Sequence, residues 1–297
     1  MTSITIPQCI DLLEQTGDFR VVRRFRPVDR YHERGDGEPF KTGLVIDTET
    51  TGLEENASII EFGALPFSFC PTTGRIFEVG TPLSMFEDPG VPLSPEIVSI
   101  TGITDDMVRG LGFDDCLVES LCAAADLVIA HNADFDRPKV ERRFPCFAAK
   151  HWSCSVSDVD WKAEGIESQK LAFIAYRLGF FFDAHRAGND CQAVVHALAQ
   201  TLPVSGRPVM QALLDAARRP SYRVWSVHSP FEMKDALKAR GYRWSAGEAG
   251  RPKAWFRDMT TAEAAEAESA FLAASRCRAQ VVSIGGKDKF SDRAYRL

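Results

Sequence analysis

The chain has 297 residues, 45% hydrophobic and 26% charged, which is the make-up of a folded globular protein and excludes a disordered one. A net charge of −6 and a pI of about 5.6 argue against a passive coat for nucleic acid, which is normally basic, but not against an acidic site that holds cations. No run approaches the ~20 apolar residues of a membrane span, and residues 1–15 carry no basic segment leading into an apolar stretch, so a cytoplasmic protein without membrane contact is expected.

The length suggests one large domain and a smaller one. Residues 1–42 read as an N-terminal segment without legible chemistry. Pro7 opens a short helix bearing Ile10, Leu12 and Leu13, and Gly17 lies beyond its end. Phe19 to Phe25 reads as extended, and Asp29 to Glu38 as a loop. Residues 43–205 read as the main domain. Buried strands are expected at Gly43–Asp47, Ser58–Phe69, Arg75–Thr81 and Leu127–Ala130, with the turn Pro71–Gly74 between the second and third. Helices are expected at Phe113–Ala124, Pro138–Arg143, Ser168–Leu178 and Asp190–Leu202. Antiparallel strands followed by strands alternating with helices predict an α/β layer fold with a mixed sheet. Residues 219–284 read as a small basic and aromatic domain with a capping box at Thr260–Glu263, and 285–297 as a loose tail. The eight cysteines form no Cys-x-x-Cys, so reduced core thiols are expected and a zinc site is not.

Three polar clusters at strand or helix ends carry the chemistry. In Val45-Ile-Asp47-Thr-Glu49-Thr-Thr-Gly52-Leu53, alternation along a strand points Asp47 and Glu49 to one face, where two carboxylates can grip a hard divalent cation. Taken alone, Asp-x-Glu more often marks a solvated strand end. In His131-Asn132-Ala133-Asp134-Phe135-Asp136, a strand runs up to a polar group before a helix. Asp136 by itself reads slightly better as an N-cap before Pro138, and His131 and Asn132 read equally as turn residues. In Asp183-Ala-His185-Arg-Ala-Gly-Asn189-Asp190, a histidine precedes a helix. A lone histidine is more often structural and Asp190 reads also as a mere cap, but Asn189 can supply the cap and leave Asp190 free to turn inward.

Together, D-x-E-T-T-G-L, H-N-A-x-F-D and H-x-x-x-x-D, in this order over residues 43–203, resemble the DnaQ-like (DEDDh) 3′–5′ exonucleases, the family of the proofreading subunit of bacterial DNA polymerase III. Ile59-Ile-Glu-Phe-Gly63 and Ile100-Thr-Gly-Ile-Thr104 fit the same pattern. The resemblance implies a ribonuclease-H-like mixed β-sheet flanked by α-helices, with Asp47, Glu49, Asp136 and Asp190 as ligands of two divalent ions, Mg2+ or Mn2+. It implies His185 as general base, Glu49 as reader of the terminal 3′-OH, Leu53 as a wedge under the last base, and Thr50 and Asn132 as further substrate contacts. Thr101 stands where some relatives carry a histidine that lines the nucleotide pocket. Four adjacent carboxylates repel one another, and two cations remove that cost while activating a water and steadying the leaving oxygen. An imidazole titrates near neutral pH and suits the proton transfer. The expected product is a nucleoside 5′-monophosphate.

Between Arg219 and Arg257 nine basic residues face three acidic ones, so the stretch nets +6 against −6 for the whole chain. Arg223, Lys238, Arg240, Arg243, Trp244 and Lys253 are the candidate nucleic-acid contacts, since aromatics among cations can stack bases and neutralise phosphates. Most of these aromatics read at least as well as the core of a small domain. Lys238–Trp244 with Lys253–Phe256 resembles small modules appended to DNA-processing enzymes. The expected partners are a nucleic acid with a free 3′ end, DNA before RNA, and a polymerase or repair protein. The alternatives are an RNA-trimming exonuclease and a non-catalytic scaffold of the same fold. An ordinary nucleotide-dependent enzyme is disfavoured by the lack of G-x-G-x-x-G or a Walker lysine.

Overall fold

The structure is a computed structural model that describes residues 5–247 and 251–297. Helix α1 (Ile6–Gln15) opens one residue before the expected Pro7, and β1 (Arg23–Arg24) follows. The main sheet is built from β2 (Lys41–Thr50), β3 (Ile59–Phe69), β4 (Ile76–Val79), β5 (Leu83–Phe86), β6 (Leu127–Ala130) and β7 (Trp152–Cys154). Its order is β4–β3–β2–β6–β7, with β5 also paired to β3. The pairs β2–β3, β3–β4 and β3–β5 are antiparallel, while β2–β6 and β6–β7 are parallel, so the sheet is mixed as expected.

Helices α2 (Pro95–Thr101), α3 (Asp105–Val108), α4 (Asp115–Ala124), α5 (Ala133–Arg143), α6 (Leu171–Arg177), α7 (Ala187–Leu198) and α8 (Val209–Arg218) surround it. The two-residue β8 (Phe180–Phe181) lies between α6 and α7. Alternation splits the core in two. Leu44, Ile46, Phe62 and Ala64 pack under Val118 of α4 and Val140 of α5. Val45, Leu65 and Phe67 pack under Val194 and Leu198 of α7 and Leu213 of α8. Period 2 in the strand thereby decides which helix each side chain of β2 meets.

The N-terminal segment is tied to the main domain. Strand β1 pairs in parallel with β8, Arg24 bridges Asp183 at 2.8 Å, and the Tyr31 hydroxyl bonds His196 Nδ1 at 2.8 Å.

The C-terminal unit is a four-stranded antiparallel sheet, β10–β11–β9–β12, formed by β9 (Ser221–His228), β10 (Arg243–Ala246), β11 (Lys253–Met259) and β12 (Arg278–Ile284). Helices α9 (Lys234–Ala239) and α10 (Ala262–Ala274) bury Leu237, Ala265 and Leu272 on one face. The expected tail is instead packed. Arg137 of α5, fully buried, donates to the Lys289 carbonyl at 2.6 Å and to that of Lys287, and Arg293 bridges Glu141 at 2.7 Å. Buried guanidinium groups need acceptors, and the backbone of 287–289 supplies them. Among the described residues no helix is long and apolar enough to cross a membrane.

Candidate active site

Asp47 and Glu49 follow Val45 on the face of β2 that meets α7. Helix α7 brings Asp190 to the same place. Oxygens of Asp47, Glu49 and Asp190 all lie within 4.8 Å of one another, and all three residues are partly buried. This is an all-oxygen donor set of the kind hard divalent cations take.

Two residues of β3 position that helix. Glu61 stands opposite Glu49 in the ladder and Gly63 opposite Asp47. The fully buried Glu61 carboxylate accepts from Arg186 Nε at 3.2 Å, the Ala187 backbone N–H at 3.3 Å and the Ser84 hydroxyl at 2.6 Å. Gly63 leaves room for the backbone above it, since a Cβ there would sit 2.4 Å from the carbonyl carbon of Ala187. The start of α7 is thus pressed onto the sheet beside the acidic cluster. Sequence reasoning noted Ile59–Gly63 only as a connecting pattern. Its one available signal was a glutamate between apolar strand residues.

Capping differs from the expectation. Helix α7 begins at Ala187, three residues earlier than expected, and the Asn189 amide donates to the Asp183 carbonyl instead of capping. Asp190 itself accepts the Arg186 backbone N–H at 3.0 Å, which fixes the carboxylate that faces Asp47. His185 lies just before this turn, exposed, with φ +66°, and its charge favours ionised Asp190. No hydrogen bond among the described residues restrains the His185 ring.

Asp136 is not a member of the three-carboxylate group. It is no N-cap either, because α5 opens at Ala133 and places Asp136 on its fourth residue with Pro138 inside the helix. Helix α5 packs on the opposite sheet face, so Asp136, only 2% exposed, receives a hydrogen bond from Thr48, the residue between Asp47 and Glu49, at 2.7 Å. Asp136 nevertheless acts on the cluster through its charge. Asp47 is raised well above the usual carboxylate range, first by burial and then by Asp136, Asp190, Glu49 and Glu61. Burial, then Asp190 and Glu61, push Glu49 up to about 7, with Arg186 opposing. Burial raises Asp136 to about 7 against the Thr48 hydrogen bond, and Asp190 to about 6 against the Arg186 N–H. Excess negative charge in a low-dielectric corner is the physical signature of a cation site.

Of the expected substrate contacts, Leu53 is 85% exposed in the turn after β2. Asn132 is exposed at φ +78° before α5 with no side-chain cap bond. Thr50 departs from expectation: it is buried and its hydroxyl donates to the Gly52 carbonyl at 2.6 Å, so it shapes the turn. Thr101 is likewise structural, bonded to the Ile97 carbonyl at the end of α2. His131 is held between Ser155 Oγ at 2.8 Å and the Gln169 carbonyl at 2.9 Å, and burial lowers it to about 4.

In the C-terminal unit, Arg223 is not a surface contact. It is buried over Tyr295, donating to Asp258 at 2.6 Å and to the Ala294 carbonyl at 3.0 Å. Trp225, Tyr242 and Phe256 are core residues, whereas Lys238, Arg240, Arg243, Trp244 and Lys253 are exposed. A cavity of about 360 Å³ lies between the two units, lined in part by Asp134, Arg219, Arg243, Asp258 and Lys289, and touches none of the three clustered carboxylates.

A family model described as exonuclease (RNase T) matches residues 44–198, just over half of the chain. The PolC-type DNA polymerase III of Listeria welshimeri serovar 6b is 36% identical over 109 residues, which is 36% of this chain and 7% of that protein. Exodeoxyribonuclease 10 of Escherichia coli strain K12 is 28% identical over 184 residues, 60% of this chain and 76% of that protein. E. coli exonuclease I in complex with a dA16 oligonucleotide has a similar fold, with a TM-score of 0.50 at 16% identity, over 74% of this chain and 63% of that one. The chain therefore spans only a small part of the polymerases that it matches.

Proposed function

The chain belongs to the RNase T exonuclease family, and from that membership we propose that it is a metal-dependent 3′–5′ exonuclease that releases nucleoside 5′-monophosphates from single-stranded or frayed DNA 3′ ends. The observation that carries this reading is the approach of Asp47, Glu49 and Asp190 within 4.8 Å of one another. Asp47, Glu49 and Asp190 would hold divalent ions, two in the proposed scheme, which would supply charge neutralisation, an acidified water and stabilisation of the leaving oxygen.

The chain's own groups do the rest. Asp47, Glu49 and Asp190 would hold the cations, and Asp136, bonded to Thr48 on the α5 side, adds negative charge behind them. His185, exposed and without a side-chain hydrogen bond among the described residues, accepts the proton of the attacking water. Glu49 also receives the terminal 3′-OH, and Leu53 wedges against the last base, for which its exposure leaves it available. DNA is favoured because the relatives carry the names exodeoxyribonuclease and DNA polymerase. The polymerase match supports a partner of the polymerase or repair class.

The test is to incubate the protein with 5′-labelled single-stranded DNA, mismatched duplex and matched RNA, with magnesium or with chelator. A ladder shortening by single nucleotides on DNA, abolished by chelator, is expected. Trimming confined to RNA would move the substrate to RNA. Absence of any metal-dependent mononucleotide release would leave a non-catalytic binder.

A further inference from the structure

At the edge of the C-terminal sheet, exposed Trp244 and Lys253 stand beside Trp255, which packs partly on the core of the unit. Alternation along β11 puts Lys253, Trp255 and Arg257 on one face, and the register sets Trp244 of β10 directly beside Trp255. The two indoles lie 5.3 Å apart, and Trp244 remains 49% exposed although β10 is the outermost strand. A contiguous exposed apolar patch, unlike a single exposed residue, marks a contact site.

The charge around them is positive for a structural reason. Arg257 and Arg240 share one carboxylate, Glu268, at 3.3 and 2.6 Å, so this triad keeps a net positive charge. Lys253 is exposed and takes part in no ion pair among the described residues. The unit also touches the proposed active site: Arg251, just before β11, reaches Glu55 at 3.4 Å in the same turn that carries Leu53.

We propose that the face formed by Trp244, Trp255, Lys253 and Arg257 is a stacking platform for single-stranded DNA, holding the strand whose 3′ end enters the carboxylate cluster. The inference rests on the exonuclease reading and extends it to how substrate is held. Bases stack on the indoles without regard to sequence, while Lys253 and Arg257 neutralise phosphates.

The test measures binding of fluorescein-labelled dT20 by anisotropy, in chelator so that no cleavage occurs, using the full chain. Trp244→Ala should weaken binding about fivefold to 150-fold, with Trp244→Phe retaining most of the affinity. Lys253→Ala should flatten the slope of log affinity against log salt by about 0.7. Hydrolysis of a dinucleotide, too short to reach the platform, should stay at the wild-type rate in each variant. Wild-type affinity in both Trp244→Ala and Lys253→Ala would overturn the platform, as would duplex bound as tightly as dT20. Tighter binding of rU20 would overturn its assignment to DNA. A wild-type protein that binds dT20 but hydrolyses nothing would sink the exonuclease reading alone.

Discussion

A carboxylate next to other carboxylates holds its proton until something positive replaces it, and Asp47, Glu49 and Asp190 are all raised in this way. The exposed His185 imidazole, just before the turn that carries Asp190, is the proposed proton acceptor. His185→Ala should lower kcat by about 10²- to 10⁴-fold with little change in magnesium affinity; a wild-type rate would remove the base role. Arg186→Ala should strip the partner from the buried Glu61 carboxylate and cost on the order of 3 kcal/mol in a chaotrope melt. An unaltered midpoint would mean that Glu61 needs no cation. At this scale the sequence was readable where spacing repeats a pattern, as for Asp47, Glu49 and Asp190. It was opaque for Glu61, a single acid in an apolar strand, and for Arg223, whose burial depends on Tyr295 seventy-odd residues away.

Secondary-structure elements deliver these groups by alternation and close approach. Strand β2 sends Asp47 and Glu49 to the α7 side and Thr48 to the α5 side, which is why Asp136 meets Thr48 and not the three-oxygen group. Gly63→Ala should force α7 away from the sheet, because its Cβ would meet the Ala187 backbone, which cannot yield as a side-chain tip would. The expected result is a loss of about 1–3 kcal/mol in stability together with weakened activity that Gly63→Ser does not restore. A stable, fully active Gly63→Ala protein would refute the close approach. Long apolar strands such as β3 were legible from their runs. The four-residue β5 and three-residue β7 were not, since a serine interrupts each where the equally short β6 is a continuous apolar run. Helix α5 was expected to start at Pro138, where the proline looked like a first-turn residue; instead packing of Ala133 and Val140 carries the helix through it.

Across the whole molecule the acidic cluster ties stability to pH and to cations. Folded-state values raised above the unfolded ones mean that the native state binds more protons, so without metal the cluster lowers stability as pH rises from about 4 through about 7. The half-buried His131, lowered to about 4, acts in the opposite sense over pH 4 to 6.5, so the raw profile mixes both. The increment in Tm given by saturating magnesium isolates the cluster, and it should grow from pH 5 to pH 8 as protons cease to compete. An increment that is flat or shrinks would contradict a carboxylate site. Fold class was visible in the order of strands and helices, and the packing of 285–297 was not, because backbone carbonyls accepting from Arg137 leave no trace in residue type. The most direct measurement is a crystal grown with manganese and its anomalous difference map. Density about 2 Å from oxygens of Asp47 and Asp190 is expected, and a map empty there, with manganese bound elsewhere, would undo the assignment.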